Sequence, residues 1–123
     1  MVAAKDGFQS MHLNPEQALA LLQSDPHAMM VDVREPWEWE QEHIAHSISL
    51  PLSTAKPSDF DRFGKEHPLL VLCAHGNRSV GVTQFLRERG FAHAQNMSGG
   101  ISVISPALRG QLGKLLEGRK THA

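Results

Sequence analysis

The sequence predicts an α/β domain built on a mainly parallel central sheet, with helices on both faces. Stretches typical of strands alternate with stretches typical of helices, which is the pattern of βα units. The apolar run Leu69–Leu72 shows no alternation with polar residues, as expected for a central strand that is covered on both sides. At 123 residues the chain has the usual size of one domain.

The first predicted helix begins after Asn14. Asn14 is a suitable N-cap, Pro15 suits the first turn, and Gln17 stands where a capping box requires it. Apolar residues follow at helical spacing, and the segment around Pro26 ends the helix.

The later elements are predicted from short apolar runs and amphipathic stretches. In chain order they are strands at 28–33, 48–50 and 69–72, a helix that follows Arg78 and ends at Gly90, a strand at 92–97, a turn at Gly99-Gly100 and a helix at 106–116. The domain is predicted to span residues 8–117, and residues 118–123 are predicted to form a flexible C-terminal tail.

Charge and hydropathy argue against two classes of function. The chain has 12 basic and 13 acidic residues with no long block of either sign, so we expect no sequence-independent binding to nucleic acid. It has no apolar run like that of a signal peptide or a membrane span. We therefore expect a cytoplasmic protein with no membrane partner.

The segment Cys73-Ala74-His75-Gly76-Asn77-Arg78-Ser79 carries the strongest functional signal. A strand that ends at Cys73, a short loop and a helix would place the thiol at the carboxyl edge of the sheet, where ligands of α/β proteins bind. Unpaired N–H groups of residues 74–79 and the helix dipole would favour an anion there, and Gly76 can adopt the positive φ that such a loop needs. We predict a lowered pKa for Cys73, with Arg78 adding a fixed positive charge.

A free cysteine is often only a small buried apolar residue. The spacing of Gly76, Arg78 and the helix start from Cys73 favours an anion-binding loop over that alternative. Cys73 is the single cysteine of the chain, so it has no intrachain partner for a disulfide, and a redox cycle would need a second molecule. The histidines and Cys73 do not form a full set of metal ligands by spacing, and no metal is predicted.

The length of the loop discriminates between chemistries. Four residues separate Cys73 from Arg78, whereas cysteine phosphatases as a family have five, and one residue fewer shortens the loop by roughly 3.5 Å. The smaller ring suits one sulfur atom better than a phosphoryl group. In this respect the segment resembles the single-domain members of the rhodanese family, which have Cys-x-x-Gly-x-Arg after a central strand.

Other segments resemble the same family, in the same order, over about residues 11–104. They are Asp32-Val33-Arg34-Glu35, Glu42-His43-Ile44, Ile48-Ser49-Leu50-Pro51, Gly90-Phe91 and Asn96-Met97-Ser98-Gly99-Gly100-Ile101.

The resemblance implies a sulfurtransferase in which Cys73 attacks the sulfane sulfur of thiosulfate or a similar donor and retains it as a persulfide. A thiol or cyanide, or an acceptor protein, would then remove the sulfur. No cofactor is implied. A persulfide carrier with little turnover alone is the alternative, and a cysteine phosphatase or an arsenate reductase is a more distant one.

The sequence departs from the family pattern beside the cysteine. Many members that use thiosulfate have Arg or Lys there, but this chain has Ala74 and His75. Attraction for a doubly charged donor is therefore expected to be weaker, and we hypothesise that protonation of His75 strengthens it in acid. Asp32 and Arg34 are expected beside the cysteine strand, where they either contact the donor or form an ion pair that shapes the site.

Overall fold

The computed structural model describes residues 11–120. Its strands are β1 (His12–Leu13), β2 (Met29–Asp32), β3 (Ile48–Ser49), β4 (Leu69–Leu72) and β5 (Ala94–Met97). Its α-helices are α1 (Pro15–Ser24), α2 (Pro36–Gln41), α3 (Arg78–Glu88) and α4 (Pro106–Leu116), and 3₁₀ helices cover Pro57–Phe63 and Gly100–Val103.

The five strands form one parallel sheet in the order β1-β5-β4-β2-β3. Every residue of β2, β4 and β5 is buried. Because β4 lies in the middle of the sheet, the residue that follows it emerges at the centre of the carboxyl edge. The predicted parallel α/β fold is confirmed.

Each face of the sheet has its own apolar core. Leu69 and Val71 of β4 pack on one side with residues of α3 and the first 3₁₀ helix, whereas Leu70 and Leu72 pack on the other side with residues of α1 and α4. This division follows from the two-residue period of a strand, which sends successive side chains to opposite faces. A strand covered twice must be apolar throughout, which explains the unbroken apolar run in β4.

Local sequence signals gave accurate element boundaries where they were strong. Asn14 Oδ1 accepts a hydrogen bond from the Gln17 amide at 2.8 Å, and Gln17 Oε1 accepts one from the Asn14 amide at 2.9 Å, as the capping box predicts. The predicted boundaries of β4 and α4 agree with the structure. The predictions did not include β1, α2 and the two 3₁₀ helices, because these elements have two to seven residues and no clear period.

Arg119, close to the last of the described residues, contacts α1 and the loop after it. The Arg119 guanidinium donates to the carbonyl oxygens of Leu22, Asp25 and Ala28 at 2.6, 2.9 and 2.8 Å. Residues 8–10 of the predicted domain and residues 121–123 of the predicted tail lie outside the described residues. Between residues 11 and 120, none of the helices combines the length and apolar character that crossing a membrane requires.

Candidate active site

Cys73 follows β4 directly and is 1% exposed. The loop that begins with Ala74 leads into α3, which begins at Arg78. Gly76 has a φ of 88°, as predicted, and a Cβ at this position would lie 2.8 Å from the Gly99 nitrogen. Both the backbone conformation and the close approach of a neighbouring segment therefore require glycine here.

The Cys73 sulfur receives hydrogen bonds from its own loop and from the first turn of α3. The amides of Gly76 and Ser79 donate to Sγ at 3.0 and 3.4 Å, and Ser79 Oγ lies 3.2 Å from Sγ. Burial is the largest single influence on the thiol and raises its pKa, but the hydrogen bonds from Ser79, Gly76 and His75 together outweigh it. The pKa of Cys73 is therefore lowered, in the direction that the sequence predicts.

The 3₁₀ helix Gly100–Val103 is hydrogen-bonded to the backbone of the cysteine loop. The Ile101 amide donates to the Cys73 carbonyl oxygen at 2.9 Å, and the Ser102 amide donates to the Ala74 carbonyl oxygen at 3.1 Å. Gly100 makes this approach possible, since a Cβ there would lie 2.4 Å from the Cys73 carbonyl oxygen. The turn predicted at Gly99-Gly100 thus lies against the site, which its sequence did not reveal.

Arg78 does not present a free charge to the thiol. Its guanidinium forms a bidentate ion pair with Glu38 of α2, with nitrogen–oxygen distances of 2.8 and 2.9 Å. The hydrogen bonds from Arg78 are the main cause that lowers the pKa of Glu38 to about 2, and the same contact raises the pKa of Arg78. Sequence reasoning missed Glu38, because 40 residues separate it from its partner.

Asp32 and Arg34 form a buried ion pair behind α2. Arg34 Nη2 lies 2.8 Å from Asp32 Oδ2, and the two side chains are 3% and 0% exposed. Arg34 also donates to the backbone carbonyl oxygens of Glu38 and Glu42, at 3.4 and 2.8 Å. These contacts agree with the ion-pair interpretation, and they connect the end of β2 to the carboxyl end of α2.

A cleft of about 210 Å³ opens beside the cysteine loop. Trp37, which is 63% exposed, and His75 line it together with Glu38 and Ala74. The His75 ring contacts Ser102, with 3.3 Å between Nδ1 and Oγ, and Asn77 is exposed on the loop. Within residues 11–120 no cluster of three or more His, Cys, Asp and Glu side chains is suited to a metal ion.

The fold and the loop together define an α/β protein in which the thiol lies at the end of the central strand of a parallel sheet. A ring of hydrogen-bond donors, the amides of Gly76 and Ser79 and the Ser79 hydroxyl, surrounds this thiol. Residues 14–107 match the family model described as the Rhodanese-like domain. The chain therefore belongs to the rhodanese family, and it resembles the single-domain members of that family.

Relatives and solved structures support this assignment. The chain is 34% identical over 92 residues to a thiosulfate sulfurtransferase GlpE of Tolumonas auensis. This alignment covers 75% of this chain and 85% of the Tolumonas protein. It is 41% identical over 76 residues to a thiosulfate sulfurtransferase GlpE of Coxiella burnetii. This alignment covers 61% of this chain and 69% of the Coxiella protein. A rhodanese-like domain protein of Staphylococcus aureus superposes with a TM-score of 0.65 at 27% identity, covering 73% of this chain and 86% of that one.

Proposed function

We propose that this protein is a sulfurtransferase that moves sulfane sulfur from thiosulfate or a similar donor to a thiol or cyanide. The observation that carries the proposal is the hydrogen bonding of Cys73, whose sulfur faces the Gly76 amide and both the amide and the hydroxyl of Ser79. The two amides, and the hydroxyl when its hydrogen is directed at Sγ, favour thiolate, which is the nucleophilic form of cysteine. The names of the GlpE relatives suggest the donor.

In the proposed first step the Cys73 thiolate attacks the outer sulfur of thiosulfate. A new S–S bond forms to Sγ as the old one breaks, and sulfite leaves with the electron pair of the broken bond. In the second step cyanide attacks the outer sulfur of the persulfide, and thiocyanate leaves as the thiolate is restored. Total charge is conserved in both steps, and neither requires a cofactor.

The ring of donors has a role in both steps. The amides of His75, Gly76 and Ser79 and the Ser79 hydroxyl would stabilise negative charge on the persulfide, and they would stabilise Sγ as the leaving group of the second step. A loop with four residues between Cys73 and Arg78 provides room for one added sulfur atom.

Mass spectrometry of the wild-type protein tests the proposal. After incubation with thiosulfate, we expect the intact chain to gain one sulfur atom, with peptide mapping locating it on Cys73. Cyanide should remove the added sulfur and release an equal amount of thiocyanate. Absence of both the added mass and thiocyanate would contradict the proposal.

A persulfide carrier is the second candidate, and the Arg78–Glu38 ion pair favours it. With Arg78 neutralised and Ala74 beside the cysteine, the loop lacks the unpaired fixed charge that would attract a dianionic donor. A carrier should load stoichiometrically but release its sulfur slowly to cyanide and small thiols, and faster when a cell extract supplies an acceptor protein. Fast turnover with cyanide alone would contradict the carrier.

The phosphatase and arsenate reductase alternatives have less support. The short loop disfavours a phosphoryl group, and a second cysteine for a reductase cycle is missing from the chain. Appreciable hydrolysis of an aryl phosphate would revive the first alternative.

We expect Glu38→Gln to lower the KM for thiosulfate. Glutamine can still accept the Glu35 amide, which donates to Glu38 Oε1 at 2.9 Å, but it no longer neutralises Arg78. If the thiosulfate dianion binds about 8 Å from the Glu38 carboxylate in water-like surroundings, removal of that carboxylate charge makes the free energy of donor binding more favourable by about 1 kcal/mol, which is ~fivefold in KM.

Steady-state kinetics at low ionic strength measure this effect, and added salt should reduce it. Glu88→Gln is the matched control, because it makes the same change of charge at the far end of α3. An equal KM in the two variants would contradict a role for the Arg78–Glu38 pair in donor binding.

A further inference from the structure

A row of hydrogen bonds runs from Cys73 through the sheet to β1. Ser79 Oγ lies 3.2 Å from Cys73 Sγ, and the Ser79 hydroxyl is hydrogen-bonded to Asn96 Oδ1. Asn96 Nδ2 in turn lies 3.0 Å from Nδ1 of His12. Ser79 and Asn96 are 0% and 2% exposed, whereas His12 is exposed. The row therefore connects a buried thiol to a surface imidazole on another strand.

The Ser79 hydroxyl has one hydrogen and two acceptors that compete for it. While Cys73 is a thiol, its S–H can donate to Ser79 Oγ, and the hydroxyl can donate to Asn96 Oδ1 as in the structure. Once Cys73 is a thiolate, Sγ can only accept. If the hydroxyl then turns to Sγ, it leaves the buried Asn96 oxygen without this donor, which is costly.

Reversal of the Asn96 amide resolves the competition. With Nδ2 towards Ser79, Asn96 donates to Oγ, and the Ser79 hydrogen is free for the thiolate. Asn96 Oδ1 then faces His12 Nδ1, which must carry a hydrogen, as it does in one neutral tautomer and in the imidazolium. In this rearrangement the Asn96 amide and the Ser79 hydroxyl rotate, but no proton is transferred along the row. The proton lost by Cys73 goes to solvent or to a base in solution.

We propose that Asn96 and His12 are positioning residues that set the direction of the Ser79 hydroxyl and thereby the fraction of Cys73 present as thiolate. The proposal rests on the proposed role of Cys73 as the nucleophile. The other groups that act on the thiol are Arg78 of α3, with its partner Glu38 of α2, and the loop residue His75. None of these belongs to the row.

The rate of Cys73 alkylation by neutral iodoacetamide, measured against pH, tests the proposal. Asn96→Asp should raise the apparent pKa by about one unit or more, since a carboxylate accepts the Ser79 hydrogen, cannot donate one, and adds negative charge. Asn96→Ala should lower it, because the competing acceptor is gone. In a Ser79→Ala background the effect of Asn96→Ala should vanish. A purely structural role predicts neither opposite shifts nor this dependence on Ser79.

His12 provides variants at an exposed position, which keep the test decisive even where the buried Asn96 variants fail to fold. His12→Leu should raise the apparent pKa, and His12→Gln, whose amide can donate and accept, should restore it towards wild type. His93→Leu is the matched control, on an exposed histidine just before β5. Coincident pH profiles for wild type, His12→Leu and His93→Leu would overturn the proposal.

Alkylation requires no sulfur donor, so the two proposals fail in different ways. Shifted profiles without persulfide formation would contradict the proposed function. Persulfide formation with unshifted profiles would contradict the positioning role alone.

Discussion

Replacement of Cys73 with serine is expected to reduce thiocyanate formation from thiosulfate and cyanide by at least ~10³-fold, in the range that loss of a covalent nucleophile costs an enzyme. Serine keeps the size of the side chain and can accept from the Gly76 and Ser79 amides. Its hydroxyl remains protonated at neutral pH, however, and oxygen cannot carry the sulfane sulfur as a persulfide. Initial rates of thiocyanate release measure the effect.

Two controls separate lost chemistry from lost structure. Wild-type protein alkylated at Cys73 should be as inactive as the serine variant, since this is the single cysteine of the chain. The thermal midpoint of Cys73→Ser should stay near that of wild type. Retention of a tenth or more of the wild-type rate would show that the sulfur does not pass through Cys73.

Replacement of Asp32 with asparagine is expected to lower the free energy of unfolding by about 3–5 kcal/mol, the usual cost of removing one partner from a buried ion pair. Arg34 is 3% exposed, so the variant would bury a positive charge whose carboxylate is gone. The carbonyl oxygens of Glu38 and Glu42 still accept from the guanidinium but do not neutralise it. Equilibrium unfolding in urea measures the change.

Asp61→Asn is the matched control for this prediction. Asp61 pairs with Arg89 at 3.8 Å, and the two side chains are 53% and 38% exposed, so solvent screens their attraction. The same change of charge should cost there no more than about 1 kcal/mol. If Asp32→Asn lowers the free energy of unfolding by no more than Asp61→Asn does, burial does not strengthen the Asp32–Arg34 pair.

The Asp32 variant also has a consequence at the active site. Arg34 contacts the carboxyl end of α2, and the same helix presents Glu38 to Arg78. Loosening of α2 would therefore release part of the charge on Arg78. The kinetic effect of Asp32→Asn on donor KM should have the same sign as that of Glu38→Gln and be smaller.

Elements whose signals are local could be predicted from the amino-acid sequence. The capping box of α1, the apolar run of β4 and the glycine in the cysteine loop each depend on a few adjacent residues. Alternation of such elements was enough to predict a parallel α/β sheet, and the spacing from Cys73 to Arg78 was enough to predict a loop built for a thiolate. Local backbone geometry and hydrophobic period carry this information.

Which distant residues meet at that loop depends on the tertiary fold. Glu38 neutralises Arg78 from 40 residues away, and His12 reaches Asn96 across 84 residues because β1 pairs with β5. Two residues of β1 have no period to recognise, and an ion pair between α2 and α3 leaves no mark on the pattern of either helix. Contacts of this kind depend on how the strands are ordered in the sheet, which the linear spacing of residues does not encode.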